Sequence, residues 1–176
     1  MSNTETATFA AGCFWGVEKI FKKEFKDAGI ETRVGYTGGD MPTPTYRQVC
    51  SGTTQHAEAI QIKFDPEKVS YATLVEHFYK THDPTTKYRQ GNDIGSQYRS
   101  AIFYHSQEQK QIAEQVTQQV RERALRDKNL YDNSNIETEI VAASVFYDAE
   151  DYHQDYLAKN PNGYECATHF ARWCSD

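Results

Sequence analysis

The chain has 176 residues, the usual size of one domain. Nineteen lysines and arginines against 25 acidic residues give a net charge of −6, so no basic surface points to nucleic acid as a partner. The mean hydropathy is −0.79 and no apolar run approaches the ~20 residues of a membrane-spanning helix, which argues against a membrane protein.

The first part of the chain predicts strands that alternate with helices. Strand-like alternation or composition occurs over residues 6–11, 31–36 and 56–64. From Phe14 to Phe25, aromatic and aliphatic residues recur at helical spacing, and Gly29 is expected to stop this helix. Ser70 is a typical N-cap for a second helix, which ends near Pro84.

The second part continues the pattern after a long irregular stretch over residues 82–96. A compact domain rarely keeps such a loop without a use for it. Strands are predicted over 98–104 and 136–145, and helices over 106–126 and 148–157. Ser106 and Gln109 have the spacing of a capping box, and Asp148 is expected to cap the last helix. We therefore expect an α+β domain with a mainly antiparallel or mixed sheet.

The four cysteines set the expected compartment. The polar residues 1–6 have no apolar core of signal-peptide length, so we expect a reducing, cytoplasmic environment in which cysteines are buried, metal-bound or catalytic. Acidic residues near the N-terminus disfavour a transit peptide but leave a mitochondrial pool open.

Cys13 is the first residue with a chemical signature. It lies between Gly12 and Gly16 at a predicted strand-to-helix junction. Unpaired amides and the positive end of the helix dipole are expected to lower the pKa of this thiol, as in a nucleophile. The alternative is a buried structural cysteine beside the aromatic pair that follows it.

Glu58 is the second residue with a chemical signature. In the strand over 56–64 it shares a face with Ile60 and Ile62. Burial would raise the pKa of its carboxyl group and make it a proton donor near neutrality. The alternative is an exposed glutamate at the end of the strand.

Polar groups elsewhere complete a possible pocket. Tyr36, Tyr46 and Tyr98 flank loops or strand ends, where a phenol can donate a hydrogen bond to a developing oxyanion. Residues 89–99 are polar and rich in glycine, as binding loops are, although a solvated surface loop has the same composition.

The C-terminal segment allows two interpretations. The spacing Cys166-x2-His169-x4-Cys174 fits three zinc ligands, without the usual pair of cysteines two residues apart. It also fits a mobile tail over residues 155–176 that brings thiols to Cys13 for disulfide exchange. Cys50 is interpreted as structural, with an extra redox thiol as the alternative.

Together these residues resemble the A-type peptide methionine sulfoxide reductases, the S-epimer-specific family. The resemblance covers nearly the whole chain. Its motifs are GCFWG (residues 12–16), GYTGG (35–39), PTYRQVCSG (44–52), HAE (56–58), HDP (82–84), QGNDIGSQYRS (90–100) and FYDAEDYH (146–153). Their occurrence in the family order is highly specific.

The resemblance implies a ferredoxin-like, two-layer α+β core and an enzyme that reduces methionine sulfoxide, free and in proteins. Cys13 would attack the sulfoxide sulfur and become a sulfenic acid. Glu58 would protonate the sulfoxide oxygen, and Tyr46 and Tyr98 would hydrogen-bond to it. This agrees with the chemistry, because a sulfoxide is a poor electrophile until its oxygen is protonated.

The resemblance also implies how substrate is held. Phe14 and Trp15 would hold the S-methyl group, and Asp93 and His153 would contact the substrate backbone. No cofactor and no metal are expected, and we expect a monomer with neither a nucleic acid nor a membrane as partner.

For recycling, the resemblance suggests that Cys166 resolves the sulfenic acid, that Cys174 then attacks Cys166, and that thioredoxin reduces the resulting disulfide. The tail departs from the common family pattern. Glu165 separates Gly163-Tyr164 from Cys166, and bulky residues replace the usual glycines between the two cysteines.

Two other functions are weighed against this one. The first is a zinc-stabilised binding module built on Cys166, His169 and Cys174, for which about one zinc per chain would be diagnostic. The second is a thiol peroxidase that uses Cys13, which does not explain a core-facing Glu58.

Overall fold

A computed structural model describes residues 3–174 of the chain. The strands are β1 (Glu5–Ala11), β2 (Glu31–Thr37), β3 (Ala57–Phe64), β4 (Arg89–Gln90), β5 (Asp93–Ile94), β6 (Ser100–Tyr104), β7 (Glu139–Ala142) and β8 (Tyr147–Asp148). The helices are α1 (Phe14–Glu24), α2 (Tyr46–Cys50), α3 (Tyr71–Lys80), α4 (Gln107–Arg126) and α5 (Tyr156–Lys159), with 3₁₀ turns at Lys26–Ala28, Ser96–Tyr98 and Asp151–His153.

Six strands form one sheet in the order β7-β6-β1-β3-β2-β8. Its pairs are antiparallel except β6 with β7, which is parallel. The central order β6-β1-β3-β2, with α1 and α3 as the crossovers, is the ferredoxin-like arrangement. The predicted α+β class with a mixed, mainly antiparallel sheet is confirmed.

One face of the sheet carries the main core. Alternate residues of β1, β3 and β2 point to it, and the apolar sides of α1, α3 and α4 cover it. Phe9 is fully buried here, with its ring 5.7 Å from Phe21 and 5.3 Å from Phe78. The opposite face is lined by alanines and by Phe103, and it is covered in part by Phe146.

The long stretch over residues 82–96 is more regular than its sequence suggests. β4 and β5 pair as a short antiparallel hairpin. Gln90 is fully buried, and its side chain bridges both backbone groups of Asp83, at 2.9 Å to the amide and 2.7 Å to the carbonyl. Gln90 therefore fixes the hairpin to the segment that follows α3. The sequence predicted only an irregular stretch here.

Several predicted elements need correction. Residues 98–104 do not form one strand, because Tyr98 ends a 3₁₀ turn and β6 begins at Ser100. Asp148 caps no helix. It lies in β8, which pairs with β2 at the edge of the sheet, and the N-cap of α5 is Asp155, with a left-handed φ of 54°.

The capping box predicted for α4 is present only in part. Ser106 accepts a hydrogen bond from the amide of Gln109. The Gln109 side chain accepts from the amide of His105 rather than from that of Ser106. A complete capping box occurs instead at α2, between Thr45 and Gln48, where none was predicted.

The C-terminal segment, residues 155–174, packs against the body of the protein at several places. His169 lies at the β1–α1 junction, where its Nε2 donates to the carbonyl of Ala11 at 2.8 Å. Further on, Trp173 donates to Glu76 of α3 at 3.2 Å and lies under the guanidinium of Arg123 of α4. That this segment moves as a tail remains a prediction.

Candidate active site

The junction between β1 and α1 holds Cys13. Gly12 has a φ of +95°, a conformation that favours glycine, and it turns the chain so that Cys13 becomes the N-cap of α1. The Cys13 side chain is 8% exposed. The amides of Trp15 and Gly16, in the first turn of α1, favour the ionised thiol, so the predicted position at a helix N-terminus is correct.

Glu58 lies on β3 opposite Tyr36 of β2, and it is 2% exposed. The amide of Phe14 donates to its Oε1 at 3.2 Å, which holds the carboxyl group at the start of α1, next to Cys13. Within residues 3–174 its buried Oε2 has no hydrogen-bond partner. Burial raises the pKa of Glu58 to about 8, so the carboxyl group is mostly protonated at pH 7.

The alternative of an exposed strand-end glutamate is therefore wrong. β3 does begin at Ala57, so Glu58 lies near the start of the strand, but it is buried on the same face as Ile60. A buried carboxyl oxygen without a partner is costly unless it carries a proton or meets a ligand.

The predicted lowering of the Cys13 pKa is wrong for this structure. Burial and, second, the charge of Glu58 raise the pKa of the thiol, and the amides of Trp15 and Gly16 offset them only in part. The charge contribution of Glu58 exists only while Glu58 is ionised. The state with Glu58 protonated is therefore the one in which Cys13 ionises most readily.

Tyr46 and Tyr98 lie close enough to Glu58 for its charge to act on both. Burial first, and then that charge, raise the pKa of each phenol, so both keep their protons as donors. Tyr46 is placed by the capping box that starts α2 at Thr45. Tyr98 is placed by the 3₁₀ turn before β6.

Cys50 also lies beside this pocket. Its thiol contacts the phenol of Tyr46, and burial raises the pKa of the thiol. The residue is exposed, and its interpretation as structural, with an extra redox thiol as the alternative, remains a prediction.

Glu150 organises two of the tyrosines and was missed by the sequence analysis. Its Oε1 accepts a hydrogen bond from the hydroxyl of Tyr36 at 2.9 Å, and its Oε2 accepts from the amide of Tyr46 at 3.0 Å. The only signal was its place within a family motif, because its contact with Tyr46 spans 104 residues of sequence.

An aromatic group borders the site. Phe14 is 1% exposed, with its ring 5.8 Å from Tyr36 and 5.1 Å from His153. Trp15 is partly exposed and stacks on Tyr156 at 3.7 Å. Both predicted residues therefore line one wall of the site.

The Trp15 indole also fixes the proton of His153. Its Nε1 donates to Nδ1 of His153 at 2.8 Å, so Nδ1 is an acceptor and the neutral ring carries its proton on Nε2. Burial lowers the pKa of this histidine, which favours the neutral form. Nε2 is buried and has no hydrogen-bond partner among residues 3–174, so it is a donor available to a ligand.

Asp93 lies at the other side, on β5. The Tyr164 hydroxyl contacts both of its carboxylate oxygens, at 3.0 and 3.1 Å. Burial raises the pKa of Asp93, and the hydrogen bonds from Tyr164 and Cys166 act against that rise. The predicted Asp93 thus meets the C-terminal segment as well as the site.

The two predicted recycling cysteines are placed differently. Cys166 is 4% exposed, with its sulfur 3.6 Å from the carbonyl of Gln90. Cys174 is exposed and follows Trp173, which is anchored on α3 and α4. The structure therefore brings Cys166, but not Cys174, to the side of the site.

The alternative zinc site is not assembled. Across residues 3–174, no group of three or more His, Cys, Asp or Glu side chains is placed to hold a metal ion. His169 bonds to the carbonyl of Ala11 instead of facing Cys174.

None of the helices in the described part of the chain has the length and apolar character that a membrane span needs.

The geometry can support one kind of reaction. A buried thiol, a protonated carboxyl group and two phenols lie close enough to act on one another, beside an aromatic wall. This set can protonate an oxygen while a sulfur nucleophile attacks the atom that bears it.

Comparison with known proteins identifies the family. The family model for peptide methionine sulfoxide reductase matches residues 5–174. A probable peptide methionine sulfoxide reductase of Schizosaccharomyces pombe is 50% identical over 171 residues, covering 96% of this chain and 97% of that protein.

Solved structures agree. Mxr1 from Saccharomyces cerevisiae in its reduced form superposes with a TM-score of 0.88 at 37% identity, covering 97% of this chain and 93% of that one. Mxr1 in complex with Trx2 has a TM-score of 0.65 at 25% identity, covering 97% and 91%. The chain therefore belongs to the peptide methionine sulfoxide reductase family, and it is an oxidoreductase that reduces methionine sulfoxide.

Proposed function

We propose that Cys13 is the nucleophile of this reductase and Glu58 its proton donor, acting on the S-epimer of methionine sulfoxide in proteins and as the free amino acid. The observation that carries the proposal is the Oε2 of Glu58, buried without a hydrogen-bond partner in the described part of the chain and close to Cys13. A sulfoxide oxygen is the kind of acceptor that such a carboxyl group would meet.

In the first step, the sulfur of Cys13 bonds to the sulfoxide sulfur as Glu58 gives its proton to the oxygen. The hydroxyl group then passes from the methionine sulfur to the Cys13 sulfur, the bond between the two sulfurs breaks, and the methionine sulfur leaves with the electron pair. The thiol proton replaces the one that Glu58 donates. Overall, methionine sulfoxide and the Cys13 thiol give methionine and the Cys13 sulfenic acid. Tyr46 and Tyr98 donate hydrogen bonds to the oxygen as charge develops on it.

Substrate is held by the wall and the donors around it. Phe14 and Trp15 pack against the S-methyl group. The Nε2 proton of His153 meets a backbone carbonyl of the substrate, and Asp93 accepts from a backbone or amino N–H. The orphaned Nε2 and the partly buried carboxylate support these roles.

Resolution requires a second thiol. Cys166 attacks the sulfenic acid, which forms the Cys13–Cys166 disulfide and releases water. Cys174 then attacks Cys166 and frees Cys13. This exchange requires the segment over residues 155–176 to move as a tail. We propose that the protein is a monomer with a single domain. Residues 175–176 lie outside the described part of the chain.

Thioredoxin is the proposed reductant of the Cys166–Cys174 disulfide, in the cytoplasm. The support is that Mxr1, which this chain resembles, has been solved in complex with Trx2. The exposure of Cys174 suits attack by an external dithiol.

The test is to accumulate the sulfenic acid. A Cys166→Ser variant, reduced and mixed with excess methionine S-sulfoxide, should form about one methionine per chain and leave Cys13 reactive with a 1,3-diketone probe. A Cys13→Ser variant should form none. Methionine formed by Cys13→Ser, or a sulfenic acid mapped to another cysteine, would place the nucleophile elsewhere.

A further inference from the structure

Three glycines beside the site have no part in the chemistry proposed above. Gly12 and Gly16 flank Cys13, and Gly91 lies in the β4–β5 hairpin. Gly16 and Gly91 lie directly against the C-terminal segment, whereas Gly12 lies against Gln90 and then against His169. Together they form a seat, which we call the glycine seat.

His169 occupies one half of the glycine seat. A Cβ added at Gly16 would lie 2.5 Å from Nδ1 of His169, closer than real Cβ contacts come. One added at Gly12 would meet Gln90 first, at 2.6 Å from its Cγ, and would be in ordinary contact with Nε2 of His169 at 3.5 Å. Gly16 is helical, without a positive φ, so its own backbone does not require glycine. The imidazole of His169 is what excludes a side chain at this position.

The hydrogen bond of His169 fixes its orientation. Nε2 donates to the carbonyl of Ala11 at 2.8 Å, two residues before Cys13, and burial lowers the pKa of the ring, which favours the neutral form. Nδ1 is buried with no partner among residues 3–174. The ring is therefore held by one hydrogen bond and by packing on glycine.

Cys166 occupies the other half. A Cβ added at Gly91 would lie 3.2 Å from the sulfur of Cys166 and 3.0 Å from Cγ2 of Thr168. The same sulfur lies 3.1 Å from Oγ1 of Thr168. The amide of His169 donates to the carbonyl of Cys166 at 3.1 Å, so the thiol and the imidazole belong to one tight turn.

We infer that His169 is a positioning residue for the resolving step. It holds Cys166 on the side of the site that contains Cys13 before the sulfenic acid forms. The inference rests on the proposed role of Cys166. The step it accelerates joins the Cys13 sulfenic acid and the Cys166 thiol into a disulfide and releases water, with no external oxidant. Such positioning acts by raising the effective concentration of one thiol at the other.

The experiment separates the two steps in time, in a Cys174→Ser background so that only the Cys13–Cys166 disulfide forms. Reduced protein is mixed with methionine S-sulfoxide, and methionine and the disulfide are each quantified by rapid quench. His169→Ala should form methionine at the parent rate but form the disulfide about ten-fold more slowly or worse, since small misplacement costs that much. A slowed methionine step with an unchanged disulfide step would overturn the inference.

A conservative variant of His169 distinguishes a positioning role from a general effect on stability. In His169→Gln the amide can still donate to the carbonyl of Ala11, so this variant should recover part of the disulfide rate. Phe170→Ala, at the next and exposed residue, is the matched control and should leave both rates unchanged. If Phe170→Ala slows the disulfide as much as His169→Ala, the segment acts without a specific role for the imidazole.

A double-mutant cycle gives an independent check, also where His169→Ala folds poorly. Gly16→Ala should slow disulfide formation while His169 is present, because its methyl group displaces the ring. In the His169→Ala background the same change should have less than about a two-fold effect on that rate. Equal effects in both backgrounds would contradict the inference. Absence of methionine from every variant and from the parent would instead refute the proposed function.

Discussion

At the scale of single residues, the proton balance between Glu58 and Cys13 is the main physical result. Sequence alternation placed Glu58 on the buried face, and the structure agrees, at 2% exposure. The direction of the Cys13 shift was not predictable, because two helix amides compete with burial and with a carboxylate from another strand. Such a competition depends on distances that alternation and spacing do not contain.

The pH dependence of the sulfoxide step follows from Glu58. With its pKa near 8, the donor form is present below that pH and is lost above it. The single-turnover rate of methionine formation should therefore fall as pH rises through about 8, and Glu58→Gln should slow it by about 10²-fold or more.

The matched control for this prediction is Glu18→Gln. Glu18 is as buried as Glu58, but it accepts hydrogen bonds from Thr32 and from the amide of Asp155. The rate of methionine formation by Glu18→Gln should still fall above pH 8, as it does in the wild type. A flat profile between pH 5 and 9 in the wild type would remove the acid role from Glu58.

Trp15 should act partly through His153. Trp15→Phe removes the indole N–H that holds Nδ1 of His153 as an acceptor, so Nε2 no longer carries the proton reliably. We expect a several-fold higher KM for a peptide substrate with a smaller change in kcat. An unchanged KM would mean that His153 does not contact substrate.

At the scale of elements, the sequence predicted the long helices and the central strands, because their periodicity is strong. It did not predict β8 or the hairpin of β4 and β5, since two-residue strands contain no period. It also missed the capping box of α2, whose five residues carry Tyr46 and Cys50. Here the functional side chains depend on a cap rather than on a hydrophobic face.

The cap of α2 is therefore testable. Thr45→Ala removes the side chain that accepts from the amide of Gln48, and it should lower the free energy of unfolding by about 1 kcal/mol. Because α2 begins at Tyr46, the single-turnover rate should also fall. Thr53→Ala, exposed in the following turn, is the control. Equal rates for the two variants would show that the cap does not position Tyr46.

Helix α3 should make the protein sensitive to acid. Burial lowers the pKa of His77 to about 4 from its ordinary 6.5, and its ring packs edge-on against Phe21 and Phe25. A lowered pKa means that its contribution is fully present above pH 6.5 and is lost as pH falls through about 4.

The measurement is urea unfolding at pH 7 and pH 5. His77→Leu should reduce the loss of unfolding free energy between these two pH values, because the variant has no proton to take up on unfolding at this position. Burial also lowers the pKa of His82, to about 3, so part of the loss should persist. An identical loss in wild type and variant would contradict the assignment.

At the scale of the whole molecule, the family motifs predicted the fold and the activity. The seating of the tail was not predictable, because His169 meets Ala11 across 158 residues and no pattern marks that contact. The structure places Cys166 at the site and Cys174 beyond Trp173, so completing the relay requires a rearrangement.

Oxidation should therefore release Trp173. In a Trp15→Phe variant, Trp173 is the remaining tryptophan, and its emission should change when the Cys166–Cys174 disulfide forms. The cause is loss of its contacts with Glu76 and Arg123. The same variant with Cys174→Ser should show no such change on reaction with sulfoxide. A mapped Cys166–Cys174 disulfide with unchanged emission would contradict the rearrangement.

The most direct test of the account is a single pass of the wild-type enzyme without reductant. Fully reduced protein is mixed with excess methionine S-sulfoxide, methionine is counted per chain, and the disulfides are mapped by mass spectrometry. We expect about two methionines per chain and a Cys166–Cys174 disulfide, since the proposed relay frees Cys13 to react again. About one methionine with a Cys13–Cys166 disulfide would contradict the relay through Cys174, and no methionine would contradict the assigned chemistry itself.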